Sequence, residues 1–240
     1  MVKLIYQNKW ADRDVEAHWD AVADQYVDSN NSVEDTHNQR FAKSVSFLDL
    51  PESGRILNIT SRDCELNDYI SRINPRLEVL NAEISAQLMR VASEIRPEVK
   101  QIKLSSYSAL PFEDESFDRV ASLETLEHVA EPVVFLKELW RVAKPNTIMV
   151  LSCPPLTCEP AYRFYTAVFG GHGEGPHRFL PSREVKQMFR ESGWQLLHHE
   201  GSLLIPVGPH FLKTFGEWAI RHFKFLSELG IRQFYVCRKA

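Results

Sequence analysis

The chain has 240 residues, 44% of them hydrophobic and 25% charged, enough for one folded domain with a real core and wrong for a disordered, collagen-like or disulfide-scaffold protein. Lys plus Arg number 28 against 32 Asp plus Glu, and this net charge of -4 argues against a surface built throughout to grip nucleic-acid phosphates. Cys64, Cys153, Cys158 and Cys237 form no CxxC pair, and neither a signal peptide nor a run of about eighteen apolar residues is found, so a cytoplasmic protein without a transmembrane segment is expected.

Residues 1–50 carry five basic against nine acidic side chains, with Trp10, His18, Trp19, Val22, Ala23 and Tyr26 at roughly helical spacing, which predicts a helical N-terminal cap. From Arg55 an alternation begins. The runs 55–60, 77–84, 99–104, 117–124 and 147–154 are short and rich in Val, Ile and Leu, as strands buried on both faces should be. Helical stretches intervene; between the fourth and fifth runs one starts at Pro132, shows Leu136, Leu139, Trp140 and Ala143 on one face, and closes at Pro145. This βαβ order predicts an α/β fold with a mainly parallel sheet, helices on both faces, and binding at the carboxyl ends of the strands. A helix over 182–192 is then expected to stop at Gly193, followed by the run WQLLHHEGSLLIP, a strongly apolar helix from Phe211 to Leu226, and a closing strand IRQFYVCRK. The chain is expected to be one domain, with a cap at 1–50, a core at 51–206 and a C-terminal helix and strand at 207–240.

Residues 110–155, LPFEDESFDRVASLETLEHVAEPVVFLKELWRVAKPNTIMVLSCPP, closely resemble the middle of class I S-adenosylmethionine-dependent methyltransferases, particularly the group of ubiquinone-biosynthesis and small-molecule enzymes. Weaker similarity runs through HWDAVADQYVD near the start and HRFLPSREVKQMFRESGW at 177–194. The resemblance implies a Rossmann-like, seven-stranded, mostly parallel sheet in the order 3-2-1-4-5-7-6. It also implies S-adenosyl-L-methionine as cofactor and methyl transfer to a small-molecule substrate, through an oxygen on a sugar or lipid-linked intermediate.

The cofactor motif departs from that family. In RILNITSRDC, Asn58 stands at the usual acidic position, and Thr60, Arg62 and Cys64 stand where relatives carry glycines that let the backbone approach the cofactor. Glu83, in LEVLNAEIS, matches the carboxylate that accepts both ribose hydroxyls, and Ser106 replaces an Asp near the adenine amine. Glu124, Glu127 and His128 are spaced i, i+3, i+4, so on a helical turn they would share a face. In ubiquinone-biosynthesis and small-RNA methyltransferases ExxEH at this point resembles a metal motif, which makes Glu124, Glu127, His128 and His177 candidate ligands for Mg²⁺ or Mn²⁺. In relatives without metal the same residues cap the loop beside the cofactor, with Glu124 as a contact, and His128 or His177 is then the candidate general base. His172, in a glycine-rich loop, is a weaker candidate, and one of His198 and His199 is expected to pack structurally.

Residues 209–240 carry six Lys or Arg against two Glu, and their aromatic helix can pack over the sheet, cover substrate, or make a membrane-surface, homodimer or partner-protein contact. The rival to methyl transfer is a cofactor-free protein of the same fold serving as scaffold or regulatory binding subunit, with the lost glycines as its argument. An RNA methyltransferase is a third reading, and it lacks a basic surface.

Overall fold

The computed structural model describes residues 9–31, 34–160, 175–203 and 210–240. In chain order the elements are α1 (Asp12–Asn31), α2 (Glu34–Leu48), β1 (Arg55–Ile59), α3 (Leu66–Ile73), β2 (Glu78–Glu83), α4 (Ala86–Ile95), β3 (Gln101–Lys103), β4 (Phe117–Leu123), α5 (Pro132–Val142), β5 (Ala143–Cys153), α6 (Ser182–Ser192), β6 (Trp194–Ser202), α7 (His210–His222) and β7 (Arg232–Lys239). They build one seven-stranded sheet ordered β3-β2-β1-β4-β5-β7-β6, in which β7 alone runs antiparallel to its neighbours. That is the expected order.

Strand alternation splits the apolar residues between two cores. Leu57 and Ile59 of β1, Val120 of β4 and Tyr235 of β7 face one side, where α1, α4, α5 and α6 bring Trp19, Leu88, Phe135, Leu139 and Phe189. Ile56, Ala121 and Phe234 face the other side, where α2 and α3 bring Phe41, Val45, Leu48 and Ile70. Each Leu or Phe so buried contributes about 1.5–3 kcal/mol of hydrophobic stabilisation, which is why both faces of the central strands read as unbroken apolar runs.

Helix ends follow local chemistry. Ser85 caps α4 by accepting from the Leu88 N–H at 3.0 Å, Pro132 opens α5, and Gly193 ends α6 at φ 91°. The fifth strand starts earlier than its sequence suggests: α5 stops at Val142, and β5 carries Pro145 and the left-handed Asn146 (φ 66°) inside it as an irregularity. No helix among the described residues is long and apolar enough to cross a membrane.

Candidate functional site

The carboxyl ends of β1 to β4 meet beneath α1, and the turn leaving β1 is the centre of this region. Thr60, Arg62 and Cys64 all adopt left-handed backbone, at φ 59°, 53° and 63°. The three positions matched to glycine have therefore kept the glycine conformation without the glycines, at about 1–2 kcal/mol each. Hydrogen bonds hold the turn in place: Thr60 N–H and Ser61 N–H donate to Ala82 O at 2.7 and 3.2 Å, and Cys64 N–H donates to Ser61 O at 2.8 Å. Glu83 completes the clamp. Its Oε2 accepts the Arg62 N–H at 2.9 Å, and its Oε1 accepts the N–H groups of Ile84 and Ser85 at 2.8 and 3.0 Å. Asn58 does not face the turn as an acid would; its Nδ2 donates to Asn81 Oδ1 at 2.8 Å and ties β1 to β2.

Side chains fill the space in front of this turn. The Arg62 guanidinium lies 3.6 Å from the centre of the Trp19 ring, a close cation–π contact between the turn and α1. The edge of Trp19 meets His128 at 5.7 Å between ring centres. From the loop after β3, Tyr107 is wholly buried, its hydroxyl facing Glu83, Arg62, Thr60 and Asp12, and burial raises its pKa above the ordinary phenol value. Asp12 Oδ2 accepts the Ser106 hydroxyl at 2.7 Å and the Tyr107 N–H at 2.8 Å, tying α1 to this loop. Arg62 Nη1 is buried without a hydrogen-bond partner among the described residues, and the buried hydroxyls of Thr60 and Tyr107 face each other.

These residues do not fit S-adenosylmethionine as they stand. Glu83 has 0% of its surface exposed, so ribose hydroxyls cannot reach it unless Arg62 and Tyr107 leave. Trp19, Arg62 and Tyr107 are thus the residues that decide the site. Sequence reading treated Trp19 only as part of a helical stripe and passed over Tyr107, although a bulky aromatic among Ser105, Ser106 and Ser108 is a legible sign of a filled loop.

The Glu–His constellation is not on a helix. Residues 124–128 form a tight turn closed by His128 N–H donating to Thr125 O at 2.9 Å. Glu124, at φ 53°, points away from its expected partners: its Oε1 accepts the Ser152 hydroxyl at 2.7 Å and the Arg232 Nε–H at 3.0 Å. Glu127 and His128 are both buried, with Oε1 and Nε2 4.0 Å apart. His128 Nδ1–H donates to Pro176 O at 2.9 Å, and burial, helped by Arg62, holds its pKa down at about 3. So low a pKa makes a feeble base at neutral pH. His177 bonds Gly175 O through Nδ1 at 2.9 Å, and its ring centre is 6.3 Å from that of His128. Among the described residues no three His, Cys, Asp or Glu side chains converge as metal ligands; of Glu124, Glu127, His128 and His177, the residues expected to hold Mg²⁺ or Mn²⁺, Glu124 is turned to Arg232 instead. Of the other imidazoles, His199 packs structurally, stacked on Tyr235 at 4.6 Å, while His198 pairs with Glu200; His172 lies outside the described residues.

Comparison with known proteins bears on this geometry. A methyltransferase-domain family profile matches residues 63–151, beginning just after Arg62. An uncharacterized methyltransferase of Mycolicibacterium vanbaalenii is 35% identical over 104 residues, a stretch that covers 43% of this chain and 37% of that protein. Among solved structures, a possible histamine N-methyltransferase of Thermotoga maritima superposes with a TM-score of 0.70 at 18% identity, covering 94% of this chain and 100% of that one. The [4+2]-cyclase SpnF superposes with a TM-score of 0.60 at 15% identity, covering 83% of this chain and 79% of that one.

Proposed function

Given that the chain belongs to the class I S-adenosylmethionine-dependent methyltransferase superfamily, we propose that it is a member whose nucleotide berth is closed and which works as a cofactor-free binding or scaffold subunit. The observation that carries this reading is the fully buried Glu83, satisfied by three backbone N–H groups and sealed by Arg62 and Tyr107. A fold does not oblige its chemistry, and one neighbour of this architecture bears the name of a cyclase.

A second reading, methyl transfer to an oxygen of a small sugar or lipid-linked acceptor, draws on a specific feature: the turn keeps three left-handed residues and presents Glu83 where a ribose carboxylate belongs. In that reading Arg62 and Tyr107 swing aside, Glu83 and Ser106 bind the nucleoside, and His177 or His128 faces the acceptor. The cofactor, when bound, would supply the activated methyl group.

Thermal unfolding with S-adenosylmethionine or S-adenosylhomocysteine, with and without Mg²⁺ or Mn²⁺, separates the two. A ligand at a hundred times its Kd stabilises by about 2.7 kcal/mol, which moves the Tm of a chain this size by roughly 5–10 °C. The closed-berth reading expects no shift at millimolar ligand. A shift abolished by Glu83→Ala would overturn it, since the berth would then take the cofactor.

A further inference from the structure

The last helix is built inside out. α7 buries its small residues, Gly216 and Ala219, together with Ile220, against the rest of the chain. It turns its largest apolar side chains to solvent: Phe211 is 67%, Phe215 57% and Trp218 46% exposed. At 100° per residue, Phe211, Phe215, Trp218 and His222 fall within an arc of about 60°, and the rings meet along it, Phe215 stacked on Trp218 at 5.7 Å and Trp218 tilted against His222 at 4.5 Å. Phe223, 46% exposed, prolongs the stripe. A row of large exposed aromatics is not what a helix packed for stability shows.

Charge says what this row fits. Lys213, Arg221 and Lys224 lie in or beside the helix, and its single acid, Glu217, is turned inward, accepting the Leu203 N–H at 2.6 Å and facing Lys43 at 3.7 Å. Over 210–224 the basic positions are these three against that one Glu; the other basic residues of the C-terminal stretch, Arg232, Arg238 and Lys239, belong to β7, where Arg232 and Lys239 are buried. We propose that α7 is an interfacial anchor that lies flat on a negatively charged lipid bilayer, with Phe211, Phe215, Trp218 and Phe223 sunk among the headgroups and the basic residues drawing it to anionic lipid. A second copy of the chain fits less well. Thirteen helical residues make a stripe about 20 Å long and one side chain wide, well short of the roughly 800 Å² per partner that a stable dimer buries.

The test is co-sedimentation of the full chain with vesicles of phosphatidylcholine alone or mixed with phosphatidylglycerol, together with tryptophan emission. The anchor binds the anionic vesicles, blue-shifts on binding, and is released by salt. Phe215→Ser with Trp218→Ser, both at exposed positions, lowers the partition constant by roughly tenfold per aromatic while leaving the far-UV circular dichroism and Tm unchanged. Failure to bind anionic vesicles overturns the proposal, as does equal binding by the double variant. So does a dimer in light scattering that the double variant abolishes.

Discussion

At Arg62 two opposed effects are nearly matched. The left-handed backbone costs about 1–2 kcal/mol, and the guanidinium recovers about as much from its buried face-on contact with Trp19. Arg62→Gly is therefore expected to change stability by less than about 1 kcal/mol in urea unfolding, despite deleting a buried side chain; a loss above 3 kcal/mol would mean the plug is a major structural prop. Glu124 is the reverse case. Its carboxylate faces the buried Arg232, so Glu124→Ala is expected to cost about 3 kcal/mol, with no dependence on added Mg²⁺, as removal of one partner from a buried pair does. His128 adds a pH signature. Its pKa of about 3 in the fold lies below the unfolded value near 6.5, so its contribution is complete above pH 6.5 and is lost as pH falls toward 3. Asp63 and Glu65, both raised by burial, act in the opposite direction, which makes the comparison with a variant necessary. Below pH 6.5 the stability advantage of the native chain over His128→Asn should shrink by about 1.4 kcal/mol per pH unit, measured by urea titration across the acid range. A difference constant from pH 7 to pH 4 would show that His128 titrates normally.

At the scale of elements, α1 makes the closed site. Trp19 drives its burial, and polar groups set its register: Asp20 Oδ1 accepts the Ser85 hydroxyl at 2.7 Å and the Gln87 N–H at 3.1 Å, so one carboxylate from α1 caps α4. Asp24 reaches Arg90 on the same helix. Asp20→Ala is expected to cost about 1 kcal/mol and to raise hydrogen exchange in α1 and the first turn of α4 together; exchange that rises in α4 alone would show that α1 docks without this cap. These contacts explain what the sequence could and could not tell. Strands β1, β2, β4 and β5 were legible because burial on both faces leaves apolar runs, and α6 because Gly193 marks its end. The helical face expected for Glu124, Glu127 and His128 was not, since ion pairing of Glu124 with Arg232, 108 residues away, outweighs local spacing.

For the molecule as a whole, the mainly parallel sheet followed from the alternation and the strand order from the resemblance, while the state of the berth followed from neither. The loss of three glycines is visible in the chain, but two outcomes were open: the turn could abandon its left-handed path, or keep it and fill the space beyond. It keeps the path, and the filling comes from α1 and the loop after β3, elements that no periodicity connects to β1. In the reading proposed above, the inherited architecture survives with its opening shut. Isothermal titration of the intact chain with S-adenosylhomocysteine tests this most directly. The closed berth gives no saturable heat at millimolar ligand; a micromolar Kd that disappears in Glu83→Ala would contradict it.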